Sequence, residues 1–115
     1  MLLKYIKNCF FADYDSFKEK GVNLIITVDT GIVAFKEAEY IKSLGIDLII
    51  NNHHNTKEDL PNANAVVNPK RIDDLTKFKE ISGAFVAFKL VAALEKKQCE
   101  EILDCYKDLV MLSTI

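Results

Sequence analysis

The sequence predicts an α/β fold: a parallel sheet with helices on both faces. Three observations carry that expectation. Two short runs, Asn23-Leu24-Ile25-Ile26-Thr27-Val28-Asp29 and Asp47-Leu48-Ile49-Ile50, have continuous apolar cores rich in β-branched residues. Strands covered on both faces read this way, whereas half-exposed strands alternate. Between them, Ala34, Ala38 and Ile41 recur at helical spacing, and a strand, a helix and a second strand make a βαβ unit. Two further helical patterns close the chain, so the element order is that of a layered α/β domain.

Taken in order, Leu2 to Phe11 is apolar enough for a helix or a strand, and its pattern does not separate the two. Tyr14 to Lys20 reads as a short helix capped by Asp13 or Asp15 and stopped at Gly21. Val33 to Leu44 is the helix of the βαβ unit, with Lys36, Glu37, Glu39 and Lys42 outward, Phe35 and Tyr40 widening the apolar stripe, and Gly45 at the left-handed position after its end. Ala65-Val66-Val67 is a short strand ended by Asn68-Pro69. Lys70 to Glu80 is charged, has no period and reads as a surface loop. Gly83 to Lys97 is a helix with Val86, Leu90, Val91 and Leu94 on its apolar side, and Lys96 and Lys97 complement its C-terminal dipole. Glu100 to Leu112 is a second helix with Ile102, Leu103, Tyr106, Leu109 and Val110 inward.

Composition narrows the function classes. The 115 residues are 50% hydrophobic and 28% charged, enough for one real core and too apolar for intrinsic disorder. There is no internal repeat or linker, and the expected organisation is a single domain over residues 1–115. No apolar run approaches the ~20 residues of a membrane span. The net charge is −2, from 15 basic and 17 acidic residues. Domains that hold nucleic acid by bulk electrostatics are basic, so a nucleic-acid role here needs a local site or a metal. Cys9, Cys99 and Cys105 are an odd set without Cys-x-x-Cys spacing, read as reduced thiols. With no leader-like start, the expected compartment is the cytoplasm.

Ligands of open parallel sheets bind beyond the carboxyl ends of the strands. Past the two best strands stand Asp29-Thr30-Gly31 and Asn51-Asn52-His53-His54-Asn55. Neighbouring parallel strands would bring Asp29 and His53 to one edge, where a carboxylate and imidazoles suit a divalent metal. The plainer alternative has Asp29 as the cap of the helix that follows, two idle surface histidines, and asparagines that only form turns.

The same residues carry a family resemblance. Asn23-Leu24-Ile25-Ile26-Thr27-Val28-Asp29-Thr30-Gly31-Ile32 resembles the second motif of the DHH phosphoesterase superfamily, most of all its RecJ-type branch of single-stranded-DNA-specific exonucleases. Gly45-Ile46-Asp47-Leu48-Ile49-Ile50-Asn51-Asn52-His53-His54 is similar to the motif that names the superfamily. Leu60-Pro61, Ala65-Val66-Val67-Asn68-Pro69-Lys70, Ser82-Gly83-Ala84 with Val86-Ala87-Phe88-Lys89-Leu90, and Asp108-Leu109-Val110-Met111-Leu112-Ser113-Thr114-Ile115 continue the RecJ-type pattern in order. The resemblance runs from about Tyr14 to the C-terminus.

The resemblance implies a partial DHH domain, and a parent enzyme that degrades single-stranded DNA from 5′ to 3′ in repair and recombination with manganese, or magnesium, as cofactor. It implies that Asp29 bridges two ions, that His53 is a metal ligand, that His54 is catalytic and contacts the scissile phosphate or the DNA, and that Gly83 approaches substrate phosphate. A paired-ion site suits phosphodiester hydrolysis because it activates water and neutralises charge on the attacked phosphate. The chain departs from the family at several points. Position 52 is Asn where the family has Asp, which predicts weakened or absent metal binding. Phe85 stands where the pattern has a second glycine, and would either obstruct phosphate or pack inward. The family's aspartate cluster ahead of Asp29 and its final aspartate beyond Ile115 are missing. Asp13-Tyr14-Asp15 imitates that cluster but lies only 16 residues before Asp29, too few for the intervening elements. The expectation is therefore an internal piece of a RecJ-like exonuclease, inactive alone. The alternatives are another DHH phosphodiesterase acting on short oligonucleotides or cyclic dinucleotides, and a non-catalytic remnant that self-associates through a truncated edge.

Overall fold

The computed structural model describes residues 3–6, 13–77 and 79–112. Four parallel strands, β1 (Leu3–Ile6), β2 (Leu24–Val28), β3 (Asp47–Asn51) and β4 (Ala65–Val67), lie side by side in chain order. The ambiguous N-terminal segment is thus a strand over Leu3–Ile6, paired in register with Leu24 to Thr27. Its residues 7–11 lie outside the described part.

The helices are α1 (Tyr14–Glu19), α2 (Phe35–Ser43), α3 (Gly83–Leu94) and α4 (Cys99–Leu112). One buried cluster joins Tyr14 of α1 and Ala38 and Ile41 of α2 to Ile25, Leu48 and Ile50 of the sheet. Both helices therefore cover the face to which these alternate strand positions point. The opposite face receives α3, where Asn51 Nδ2 reaches the Val86 carbonyl at 3.4 Å. Helices on both faces explain why β2 and β3 are continuously apolar. A second cluster, Phe88, Ala92 and Ile102, holds α4 against α3.

Three helices end in the same way. After α1, α2 and α3 the chain turns through Gly21 (φ +78°), Gly45 (φ +68°) and Lys96 (φ +56°). Each time the residue beyond donates back into the last turn: Val22 N to Phe17 O at 2.9 Å, Ile46 N to Ile41 O at 3.3 Å, and Lys97 N to Ala92 O at 3.0 Å. These are Schellman motifs, whose outer residue packs against the helix it ends. Val22 and Ile46 accordingly are buried, 5% and 3% exposed, and lead straight into β2 and β3. At the other end of α1, Asp13 is the N-cap, accepting from Ser16 N at 3.0 Å. Asp15 instead accepts from the Tyr40 hydroxyl.

Several apolar side chains do not take the inward places the sequence predicts. Phe35 and Tyr40 are exposed: Phe35 opens α2 at its first turn, and Tyr40 turns its hydroxyl out to Asp15. Leu94 and Leu103 are also exposed, because Phe88, Ala92 and Ile102 occupy the α3–α4 contact. The α3 helix stops at Leu94, so Lys96 and Lys97 lie beyond its end instead of in its last turn.

The 70–80 loop is ordered by its own charges. Arg71 bridges the Val66 carbonyl and the Asp73 carboxylate. Asp74 accepts from the Thr76 hydroxyl and backbone N–H and from Lys79. Those donors, Thr76 first, hold its carboxyl down at about 2.

Two outcomes test this packing. Ile41 is 1% exposed at the centre of the larger cluster, so Ile41→Ala lowers unfolding free energy by about 2–5 kcal/mol in urea titration, whereas Leu75→Ala, at a side chain 95% exposed, leaves it unchanged. Because the Asp74 carboxyl is depressed in the folded loop, its stabilising effect is complete above the ordinary value of 3.8 and disappears as pH falls through about 2. Amide shifts of Thr76 followed by NMR titrate in that acid window, and do not in Asp74→Asn.

Candidate metal centre

The parallel ladder brings β2 and β3 out together. Val28 pairs with Asn51, and the ladder continues one step further, with Asp29 N donating to Asn51 O at 2.9 Å. Asn52 N in turn donates to Val67 O at 2.9 Å. Asp29 and the His53-His54 pair therefore leave the sheet at one carboxyl edge. There Asp29 Oδ1 lies 3.0 Å from His53 Nε2 and 3.3 Å from His54 Nε2, and one ligand atom from each of the three falls within 4.8 Å of the others.

Asp29 is not the cap of the next helix. The N-cap of α2 is Ala34, without a side-chain hydrogen bond, and five residues separate Asp29 from Phe35. Asp29 instead adopts φ +59°, a left-handed conformation that few non-glycine residues enter, Asp more readily than most. The turn is held by Thr27 Oγ1 donating to the Thr30 carbonyl at 3.1 Å. Both histidine rings meet the same carboxylate oxygen.

Backbone groups aim the His53 ring. Its Nδ1 lies 3.0 Å from the Ile81 carbonyl. A carbonyl only accepts, so Nδ1 carries the hydrogen and Nε2 is the nitrogen presented to Asp29. With Nε2 and Oδ1 3.0 Å apart, a cation, either a proton or a metal ion, has to lie between two lone pairs. The donor set is one carboxylate oxygen and two imidazole nitrogens, chemistry that divalent first-row ions accept. At 3.0 and 3.3 Å from the carboxylate oxygen, either imidazole nitrogen is near enough to share one cation with it.

Asn52 is tied to the main chain of the two histidines. Its side chain is fully buried, and Oδ1 accepts from the backbone N–H of His53 at 2.7 Å and of His54 at 3.0 Å. Its Nδ2 is buried with no hydrogen-bond partner. Position 52 thus orients both histidines through their main chain. Gly83, the first residue of α3, lies directly against the Asp29 carboxylate: a Cβ at Gly83 would come within 2.6 Å of Oδ1. Phe85 packs beside Phe88, with ring centroids 5.9 Å apart, and so takes the inward alternative. It also helps line a cavity of about 680 Å³ between β4, the 70–80 loop and α3.

Two contributors escaped the sequence reading. The Ile81 carbonyl leaves no trace in a side-chain pattern, because any residue supplies it. Asn68, 3% exposed, donates to the His54 carbonyl at 2.9 Å and accepts from Lys70 N at 2.8 Å. It joins the end of β4 to the histidine loop, and its sequence signals are a polar residue directly after a strand and its place in the family pattern, neither of which gives this role.

Comparison with known proteins identifies the family. The family model described as "DHH family, N-terminal domain" matches residues 1–114. The single-stranded-DNA-specific exonuclease RecJ of Bacillus subtilis is 48% identical over 91 residues, 79% of this chain and 12% of that protein. RecJ of Escherichia coli is 40% identical over 80 residues, 70% of this chain and 14% of that protein. A crystal structure of exonuclease RecJ bound to manganese superposes with a TM-score of 0.56 at 30% identity, covering 70% of this chain and 21% of that one. RecJ of Thermus thermophilus in complex with Mn²⁺ gives 0.57 at 31%, covering 75% and 13%. The chain therefore spans about an eighth of the length of the curated relatives it matches, and it belongs to the DHH family, where its similarity is to RecJ-type members.

Proposed function

We propose that this chain is the metal-holding part of the DHH domain of a RecJ-like enzyme that hydrolyses phosphodiester bonds of single-stranded DNA. The convergence of Asp29 Oδ1, His53 Nε2 and His54 Nε2 at one sheet edge carries this reading. Magnitudes support it. Contacts between half-exposed charges contribute about 0–1 kcal/mol each, and the Asp29 and His54 side chains are 53% and 57% exposed. A residue held in a sparsely populated backbone region costs of order 1–3 kcal/mol. Stability alone is a poor reason to keep Asp29 there, and placing a carboxylate for a ligand is a better one.

In this reading Asp29 and His53 hold a divalent ion, manganese in the relatives solved with it. When bound, the ion activates water and neutralises charge on the attacked phosphate. The chain's own residues do the positioning. Ile81 fixes the ring plane of His53 and exposes Nε2. Asn52 pins the loop from which both rings project. His54, the more exposed ring, contacts the substrate phosphate. Among the described residues Asp29 and His53 supply two ligand atoms, and three with His54 counted, at most half of the six that an octahedral ion takes, so this chain alone binds metal weakly and does not turn over DNA. Among the described residues no helix is long and apolar enough to cross a membrane.

Calorimetric titration of Mn²⁺ into the chain tests the assignment. Weak saturable binding that His53→Ala abolishes is the expected result. Absence of binding in the unchanged chain, or equal binding in His53→Ala, overturns the metal assignment, and degradation of a labelled single-stranded oligonucleotide by the chain alone overturns its inactivity. Position 52 provides a second outcome. Asn52→Asp keeps an acceptor for both backbone N–H groups, replaces the orphaned Nδ2 with oxygen and adds charge beside the cluster, so Mn²⁺ binds roughly tenfold more tightly while the metal-free melting temperature falls from burying a carboxylate.

A further inference from the structure

We infer that Gly83 is a positioning residue for Asp29: the missing side chain at the start of α3 is the space that the carboxylate fills. This rests on the metal reading for its purpose, but its geometry stands by itself. A Cβ at Gly83 would lie 2.6 Å from Asp29 Oδ1, 2.8 Å from Cγ and 3.2 Å from Cβ. The first two separations are shorter than non-bonded atoms tolerate, and the third is tight. The neighbour is not the free end of a long chain that swings aside. Asp29 has one rotatable carbon before its carboxylate, and its backbone is held by the bond from Asp29 N to Asn51 O at 2.9 Å. The other partner is equally fixed. Ser82 caps α3, accepting from Phe85 N at 3.1 Å, and Val86, one turn in, is buried 3% exposed against the sheet.

The Asp29 carboxylate rests on the N-terminal turn of α3. The same contact limits where Oδ1 lies, at 3.0 and 3.3 Å from the two imidazole nitrogens. A methyl group at position 83 pushes Oδ1 off that point while leaving the sheet and the histidine loop unaltered. Gly83 thereby acts on the metal through Asp29, a role separate from approach to substrate phosphate.

A double-mutant cycle tests this, with melting temperature of the metal-free chain as one readout and Mn²⁺ calorimetry as the other. Gly83→Ala lowers the melting temperature in the unchanged background. In Asp29→Gly, where the carboxylate and its Cβ are both gone, the same substitution is neutral or raises it, because Ala suits a helix better than Gly. If Gly83→Ala fails to fold, the double variant folds. Mn²⁺ affinity falls roughly 10- to 100-fold in Gly83→Ala, the range for lost ligand orientation. Additive effects on melting, or a double variant as unstable as Gly83→Ala alone, overturn the inference. Coupled melting in a chain that takes up no Mn²⁺ in any form upholds the contact and overturns the metal reading instead. Coupled melting with unchanged Mn²⁺ affinity in Gly83→Ala overturns the positioning role.

Discussion

The parallel ladder between β2 and β3 is the constraint on which the rest depends. Its register pairs Ile25 with Leu48, Thr27 with Ile50 and Val28 with Asn51, and the buried side chains of Ile25 and Ile50 lock it. Side chains alternate between faces along a strand, so a slip of one residue would send the buried set to the wrong face. It would also move Asp29 one residue out of step with the histidines. Asp29 and His53 meet because both strands run the same way and end at the same height. An antiparallel pair would place one at each end of the sheet.

Around that edge, fixed backbone does most of the orienting. Ile81 contributes a carbonyl and Gly83 an absence of atoms. Asn52 and Asn68 spend their side chains on the main chain of the histidine loop. The start of α3 is therefore a third wall of the site, and it is placed there by packing on the sheet face opposite α1 and α2. The three ligand-bearing side chains are partly exposed, open to solvent on the side away from this scaffold. Rigid support behind partly open ligands is what a site that must meet a large charged substrate requires.

The elements whose cause is local were legible. The β2 and β3 runs, a cap of α1 at Asp13 or Asp15, and the stops at Gly21 and Gly45 all follow from propensities acting within a few residues. The last turn of α3 was not, since it ends in a Schellman motif at Lys96, where glycine would be the usual marker. The N-terminal strand was ambiguous because four residues gain strand character from a partner, and the partner is β2. Phe35, Tyr40, Leu94 and Leu103 read as inward because hydrophobicity is a property of the residue, while burial is a property of what stands opposite.

By itself, then, the sequence determined the α/β class, the two central strands, the family pattern and the identity of the chemically capable residues Asp29, His53 and His54. Side-chain chemistry and short-range periodicity are written in the order of residues. Only the tertiary structure decided that those three ligand atoms converge, that Asp29 is a left-handed turn residue and no helix cap, that Asn52 serves the backbone, and that Gly83 yields its space to Asp29. The convergence and the Gly83 contact are distances between groups up to 54 residues apart in the chain. Such distances are set by sheet register and helix packing, which no local pattern encodes.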